Sequence, residues 1–107
     1  MYQLSKYGLM TLILVILFET LAQLYLENSV KQNVYKLTFV GILFYALVAI
    51  SYKEVLSEGV PIYIANSLWS AGSGISLLGV SYFYFHDKIT WSQVLGVILI
   101  TIGGLFL

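Results

Sequence analysis

The chain has 107 residues, of which 60% are hydrophobic and only 9% charged, with five Lys, no Arg, five acids and a net charge of zero. Its mean hydropathy is +0.92, and a domain this small has too little interior to hide that much apolar surface from water. Nucleic-acid binding would need a basic surface, which is missing, and without Cys there is neither a disulfide framework nor a thiolate metal site.

In chain order, the first predicted span covers residues 7–26 and ends in the polar link Glu27-Asn28-Ser29-Val30-Lys31-Gln32-Asn33. One Lys precedes it, but the run is too long for the core of a signal peptide and no A-x-A-like site follows, so it reads as a retained helix. The second span covers 35–52, with Gly41 as its one weak helix former; Lys53-Glu54 and Ser57-Glu58-Gly59 follow as a turn. The third covers 61–85, with Pro61 in the first turn, where a missing N–H costs nothing. Gly72 and Gly74 weaken its middle, which predicts a bend there. His86-Asp87-Lys88 links it to the fourth span, 90–107.

Each run is long enough to cross a hydrocarbon core of about 30 Å, and too long for a barrel strand. The expectation is an all-α, multi-pass integral membrane protein of the cell (inner or plasma) membrane, one four-helix domain over 1–107. Short links make neighbouring helices antiparallel, giving a four-helix bundle with both termini on one side. Tyr2, Tyr7, Tyr25, Tyr35, Tyr52, Tyr82, Tyr84 and Trp91 gather near the span ends, as an interfacial aromatic belt does. Lys6 and Lys53 fall on one side, and Lys31, Lys36 and Lys88 on the other. With so even a distribution the positive-inside rule selects neither orientation, and the pattern fits dual insertion, with copies in both orientations.

Glu19 is the single carboxylate inside the apolar stretch 9–26. An ionisable group at that depth is expensive and marks a functional site by default, here a proton carrier, a cation site, or both. Leu12, Val15, Ile16, Ala22, Gln23 and Leu26 share its helix face. Ala22 leaves room beside the carboxylate, and Gln23 brings a donor and an acceptor one turn on. The structural alternative is a protonated Glu19 that bonds across helices as glue. In the third span, Tyr63, Asn66, Ser70 and Ser73 form a polar stripe with Trp69 at its edge. A carboxylate with an aromatic face suits an organic cation, although core packing also accounts for Trp69 and interhelical hydrogen bonding for Asn66 and the serines. Ala65, Gly72, Ser76 and Gly79 make a small-residue stripe for close helix approach. Gly96 and Gly103-Gly104 give the fourth span a pairing surface, read as a dimer contact.

These residues together resemble the small multidrug resistance transporters, over the whole chain. Glu19 falls where that family keeps its membrane-embedded Glu. Pro61 with Trp69-Ser70 matches a P-x7-W-S pattern, and the run from Gly96 to Gly103 matches G-x-x-L-I-x-x-G at every fixed position. The short polar turn before Ile89 also corresponds. The resemblance implies an antiparallel homodimer that exchanges protons for small organic cations at a site shared by two Glu19 carboxylates. Trp69, Asn66, Tyr63, Ser70, Ala22 and Gln23 would line that site, and Gly96, Leu99, Ile100 and Gly103 would carry the dimer contact. The chain departs from the family at Asn66, where drug exporters carry Tyr, at Glu27, where many carry Lys, and at Ala71 and Ser73, which replace glycines. Ala22 fits the polyspecific exporters and not the guanidinium exporters. Ala22-Gln23 also resembles a pair in small flippase subunits that move a sugar-modified lipid carrier, which is the second reading. A non-transporting assembly protein is the third. No catalytic residue, metal or cofactor is expected: His86 lies in a link beside Asp87 and Lys88 with no nucleophile near it. The expected partners are a second copy, a cation, protons and the lipid bilayer.

Overall fold

Four helices and no strand make up the described part of the chain, residues 3–106 of a computed structural model. Met1, Tyr2 and Leu107 lie outside the described residues, and with them one member of the expected aromatic belt and the last residue of the fourth span.

Helix α1 runs Lys6–Gln32. Ser5 caps it, its hydroxyl accepting from the Gly8 N–H at 2.9 Å. The helix continues through the segment expected to be a polar link. Nothing in 27–32 breaks a helix: Ser29 Oγ turns back to the Leu26 carbonyl at 2.6 Å, and Glu27 and Lys31 pair one turn apart at 3.8 Å. Polarity marked the end of the apolar run, not the end of the helix. Asn33 ends it in the left-handed region, φ 53°, donating its N–H to the Ser29 carbonyl.

Helix α2 runs Tyr35–Ser57, likewise past the expected limit at 52. Gly59, at φ +86°, makes the turn that follows. Helix α3 runs Ile62–Phe83, with Pro61 as its N-cap and not inside the first turn. The proline carbonyl accepts from Ile64 and Ala65 at 3.1 and 2.9 Å. No break occurs at Gly72 or Gly74, so the third span is one continuous helix. Ile16 occupies the space that a Cβ on Gly72 would fill, and this glycine serves helix approach. Helix α4 runs Trp91–Leu105 behind a capping box of Thr90 and Gln93.

The packing is not a closed bundle. α1 lies between α2 and α3, and α4 touches α3 alone. Tyr7 reaches Glu54, and Tyr25 stacks on Phe44, so α1 and α2 are antiparallel. Contacts of Ile16 with Gly72 and of Thr20 with Ser76 set α1 and α3 parallel. α4 leans on α3 at one end, where a Cβ on Gly104 would stand 3.3 Å from Ala71 Cβ. At the other end an apolar gap of about 600 Å³, lined by residues such as Ile75, Leu78, Trp91 and Val94, separates the two helices.

The core is small: Leu12, Val15, Val48, Val55, Val60, Ile64 and Ala65. Large apolar residues instead cover the outside, among them Met10, Leu17, Phe39, Leu43, Ile50, Leu99 and Phe106. Two helices, α1 and α2, are long and apolar enough to cross a membrane. α4 has 15 residues, and α3 interrupts its apolar residues with Asn66 and five serines, Ser67, Ser70, Ser73, Ser76 and Ser81.

Candidate functional site

Glu19 projects from the buried side of α1 into the seam with α3. The apolar neighbours on that side, Leu12, Val15 and Ala22, are all buried, which is the 3.6-residue periodicity of a helix packed along one stripe. The carboxylate meets three donors. The Trp69 indole N–H and the Ser73 hydroxyl both donate to Oε2, the latter at 2.8 Å. Gln23 Nε2 reaches Oε1 at 3.4 Å. No Lys shares the seam: among the described residues, the only ion pairs are those of Lys31, three turns further along.

The two oxygens are not equivalent. Oε2 is held by two α3 donors, while Oε1 has one partner at the limit of hydrogen bonding. A ligand can therefore approach Oε1 by displacing Gln23 and leave the clamp on Oε2 intact. The seam is closed one turn further on by Thr20 Oγ1 and Ser76 Oγ at 2.7 Å.

Helix α2 supplies a wall not anticipated from the sequence. Tyr52 packs on Trp69 with ring centroids 4.9 Å apart and planes at 45°, within the range of favourable aromatic pairs. Tyr45 packs against the core. The signal was there in α2: Tyr45, Val48, Tyr52 and Val55 repeat at three- and four-residue steps, and Val48 and Val55 are buried. Ser73 stands in the polar stripe and at a position where the resembled family carries glycine, and neither feature marks it as a partner of the carboxylate. It sits four residues after Trp69, hence on the same face.

The remaining expected site residues are not gathered around Glu19 in the single chain. Tyr63 is 64% exposed. Asn66 and Ser70 are exposed and line, with Ile100 and Gly103, a separate groove of about 320 Å³ on the α4 side of α3. Phase and depth together explain the split: Ser73 lies one turn beyond Trp69 and beside Glu19, Ser70 is turned away from Trp69, and Asn66 lies two turns before Ser73 along the axis. Ala22 is fully buried, its carbonyl 3.2 Å from where a Cβ on Gly41 would stand, so it serves the α1–α2 contact and opens no space beside the carboxylate. Gly96 and Gly103 have no heavy atom within 4 Å of a built Cβ, and Leu99 and Ile100 are 59% and 51% exposed. Gly104, by contrast, is used within the chain against Ala71.

The larger apolar gap between α3 and α4 has no acid among its lining residues. Among the described residues, no group of three or more His, Asp or Glu comes together that could hold a metal ion. Compared with family models, curated proteins and solved structures, the chain finds no match in any of the three.

Proposed function

We propose that the chain is a proton-coupled exporter of small organic cations, a small multidrug resistance type of subunit that works as an antiparallel pair in the membrane. The observation that carries this reading is the clamp on Glu19. A lone acid in an apolar helix is turned into the protein and given an indole, a hydroxyl and an amide as donors. The indole N–H can only donate, whereas a hydroxyl and an amide can donate or accept, so the same three partners can serve the carboxylate in both halves of a cycle.

The exchange follows from one group serving two ligands. A bound proton neutralises Glu19, and a bound cation pairs with it, so each ligand expels the other. The indole of Trp69 and the phenols of Tyr45 and Tyr52 offer aromatic faces to a quaternary amine, a polyamine or a guanidinium-like compound, worth about 0.5–2 kcal/mol in a dry site. The lipid-facing reading is supported by the many large apolar side chains exposed along α1, α2 and α4. Pairing is supported by the open glycines of α4 and by the exposed Asn66 and Ser70, which would otherwise point polar groups at lipid.

The test is proton release from purified protein in weakly buffered detergent. On addition of tetraalkylammonium, guanidinium or polyamine salts, the wild type acidifies the medium with at least one class, and Glu19→Gln stays silent while remaining folded. Unchanged release from Glu19→Gln removes the proposal.

A further inference from the structure

The link-side end of the α1–α3 seam carries charges that the exchange at Glu19 does not use. Lys31 Nζ lies 3.8 Å from Glu27 Oε1 on its own helix and 3.8 Å from Asp87 Oδ1 in the α3–α4 link. The same ammonium stands 4.6 Å from the centroid of the Phe85 ring. The link is folded to put Asp87 and Phe85 there. His86 turns through the left-handed region at φ 55°. Phe85 and Asp87 donate their backbone N–H groups to the carbonyls of Val80 and Ser81 at 3.2 and 2.9 Å. Beside this clasp lies a cleft of about 140 Å³ between α1 and α3, whose lining includes Gln23, Glu27, Leu77, Val80, Phe85 and Asp87. Gln23 is the residue that reaches Glu19 Oε1. The cleft therefore lies between two partners of Lys31 and the side chain that covers the more open oxygen of the carboxylate.

We infer that Lys31 is a latch: its bridge to Asp87 over Phe85 holds the outer end of this cleft shut, and release of the bridge opens a path from the link-side surface to Gln23 and Glu19. The role of that path in transport rests on Glu19 being the carrier. The clasp has the properties a latch needs. Its carboxylate and ammonium are about half exposed, with side chains 47% and 43% accessible, so the pair is weak enough to break in each cycle. Glu27, one turn back on the same helix, keeps the ammonium parked while Asp87 is free. The two ends of the bridge stand on different elements, so its release lets α1 and the α3–α4 link part.

The absence of Cys allows a direct readout. Leu77→Cys places one thiol in the cleft of the full chain, and its rate of modification by a cationic, membrane-impermeant thiol reagent in proteoliposomes reports opening. Lys31→Met and Asp87→Asn change the local charge in opposite directions, yet a latch predicts that both speed modification, by about two- to fivefold, the factor an exposed ion pair supplies. The exchanged pair, Lys31→Asp with Asp87→Lys, returns the rate towards that of the Leu77→Cys parent. In that parent, higher salt speeds modification by screening the bridge, and it does so far less in Lys31→Met. Rates that stay flat, or that move in opposite directions in the two single variants, overturn the latch. The labelling needs no substrate, so it is read separately from proton release. Faster labelling with unchanged release in Glu19→Gln keeps the latch and removes the carrier; silent Glu19→Gln with flat labelling does the reverse.

Discussion

Replacing Ser73 by Ala probes the charge on Glu19 while leaving the carboxylate in place. Ser73 is 6% exposed, and its hydroxyl donates to Oε2 at 2.8 Å, so no water replaces it freely. A hydrogen bond to an ionised group contributes about 1.5–3 kcal/mol in soluble proteins, against about 0.5–1.5 for a neutral pair. Bonds between membrane helices measure lower, about 0.6 kcal/mol on average with a ceiling near 1.7. Ser73 shares the carboxylate with Trp69 and with a Gln23 contact at 3.4 Å, so it carries a large part of the solvation of that oxygen. Ser73→Ala is therefore expected to cost about 1.5 kcal/mol in the wild-type background and about 0.5 kcal/mol beside Glu19→Gln, where the acceptor is neutral. The coupling of about 1 kcal/mol exceeds the 0.3–0.5 kcal/mol within which independent changes add. Reversible unfolding in mixed micelles, run on the wild type, both single variants and the double variant, measures it. Costs that simply add would refute the reasoning, because the hydroxyl would then not be bonding to a charged group.

Gly41→Ala should destabilise the fold by about 1–3 kcal/mol, since the new methyl would meet Leu26 Cγ and Cδ2 at 2.8 Å. Gly96→Ala, with no heavy atom within 4 Å, should leave the stability of one subunit unchanged in the same assay and lower the cross-linked dimer fraction. Trp69→Phe should keep the stack on Tyr52 and most of the cation affinity, whereas Trp69→Ala should lose about 0.5–2 kcal/mol of tetraalkylammonium binding by titration. Equal losses in the two variants would assign the effect to the indole N–H and not to the ring. A tag at the C-terminus should be accessible from both sides of the membrane, with two added Lys in the α1–α2 link shifting the ratio; strictly one-sided labelling would exclude an antiparallel pair of identical chains.

Much of the molecule was legible in the residues alone. Four apolar runs separated by charge clusters predict four helices, because backbone groups among apolar side chains must bond to one another. The isolated position of Glu19 and the buried identity of its i−4, i−7 and i+3 neighbours follow from helical periodicity, which is a local property. Where helices end was less legible. α1 continued six residues past the end of its apolar run because capping and breakers, not polarity, stop a helix. What only the tertiary structure decided is which face of α3 meets α1. Tyr63, Asn66, Ser70 and Trp69 all lie near one polar stripe in sequence, yet the crossing at Gly72 against Ile16 brings Trp69 and Ser73 to Glu19 and leaves Asn66 and Ser70 outside. A helix carries its faces in its sequence, but the rotation about its axis is settled by the close approach that a glycine allows and a side chain fills. The same holds for Tyr52, whose place against Trp69 depends on α2 docking on α1, where Gly41 meets Leu26 and Ala22, a contact between residues that no short-range pattern connects.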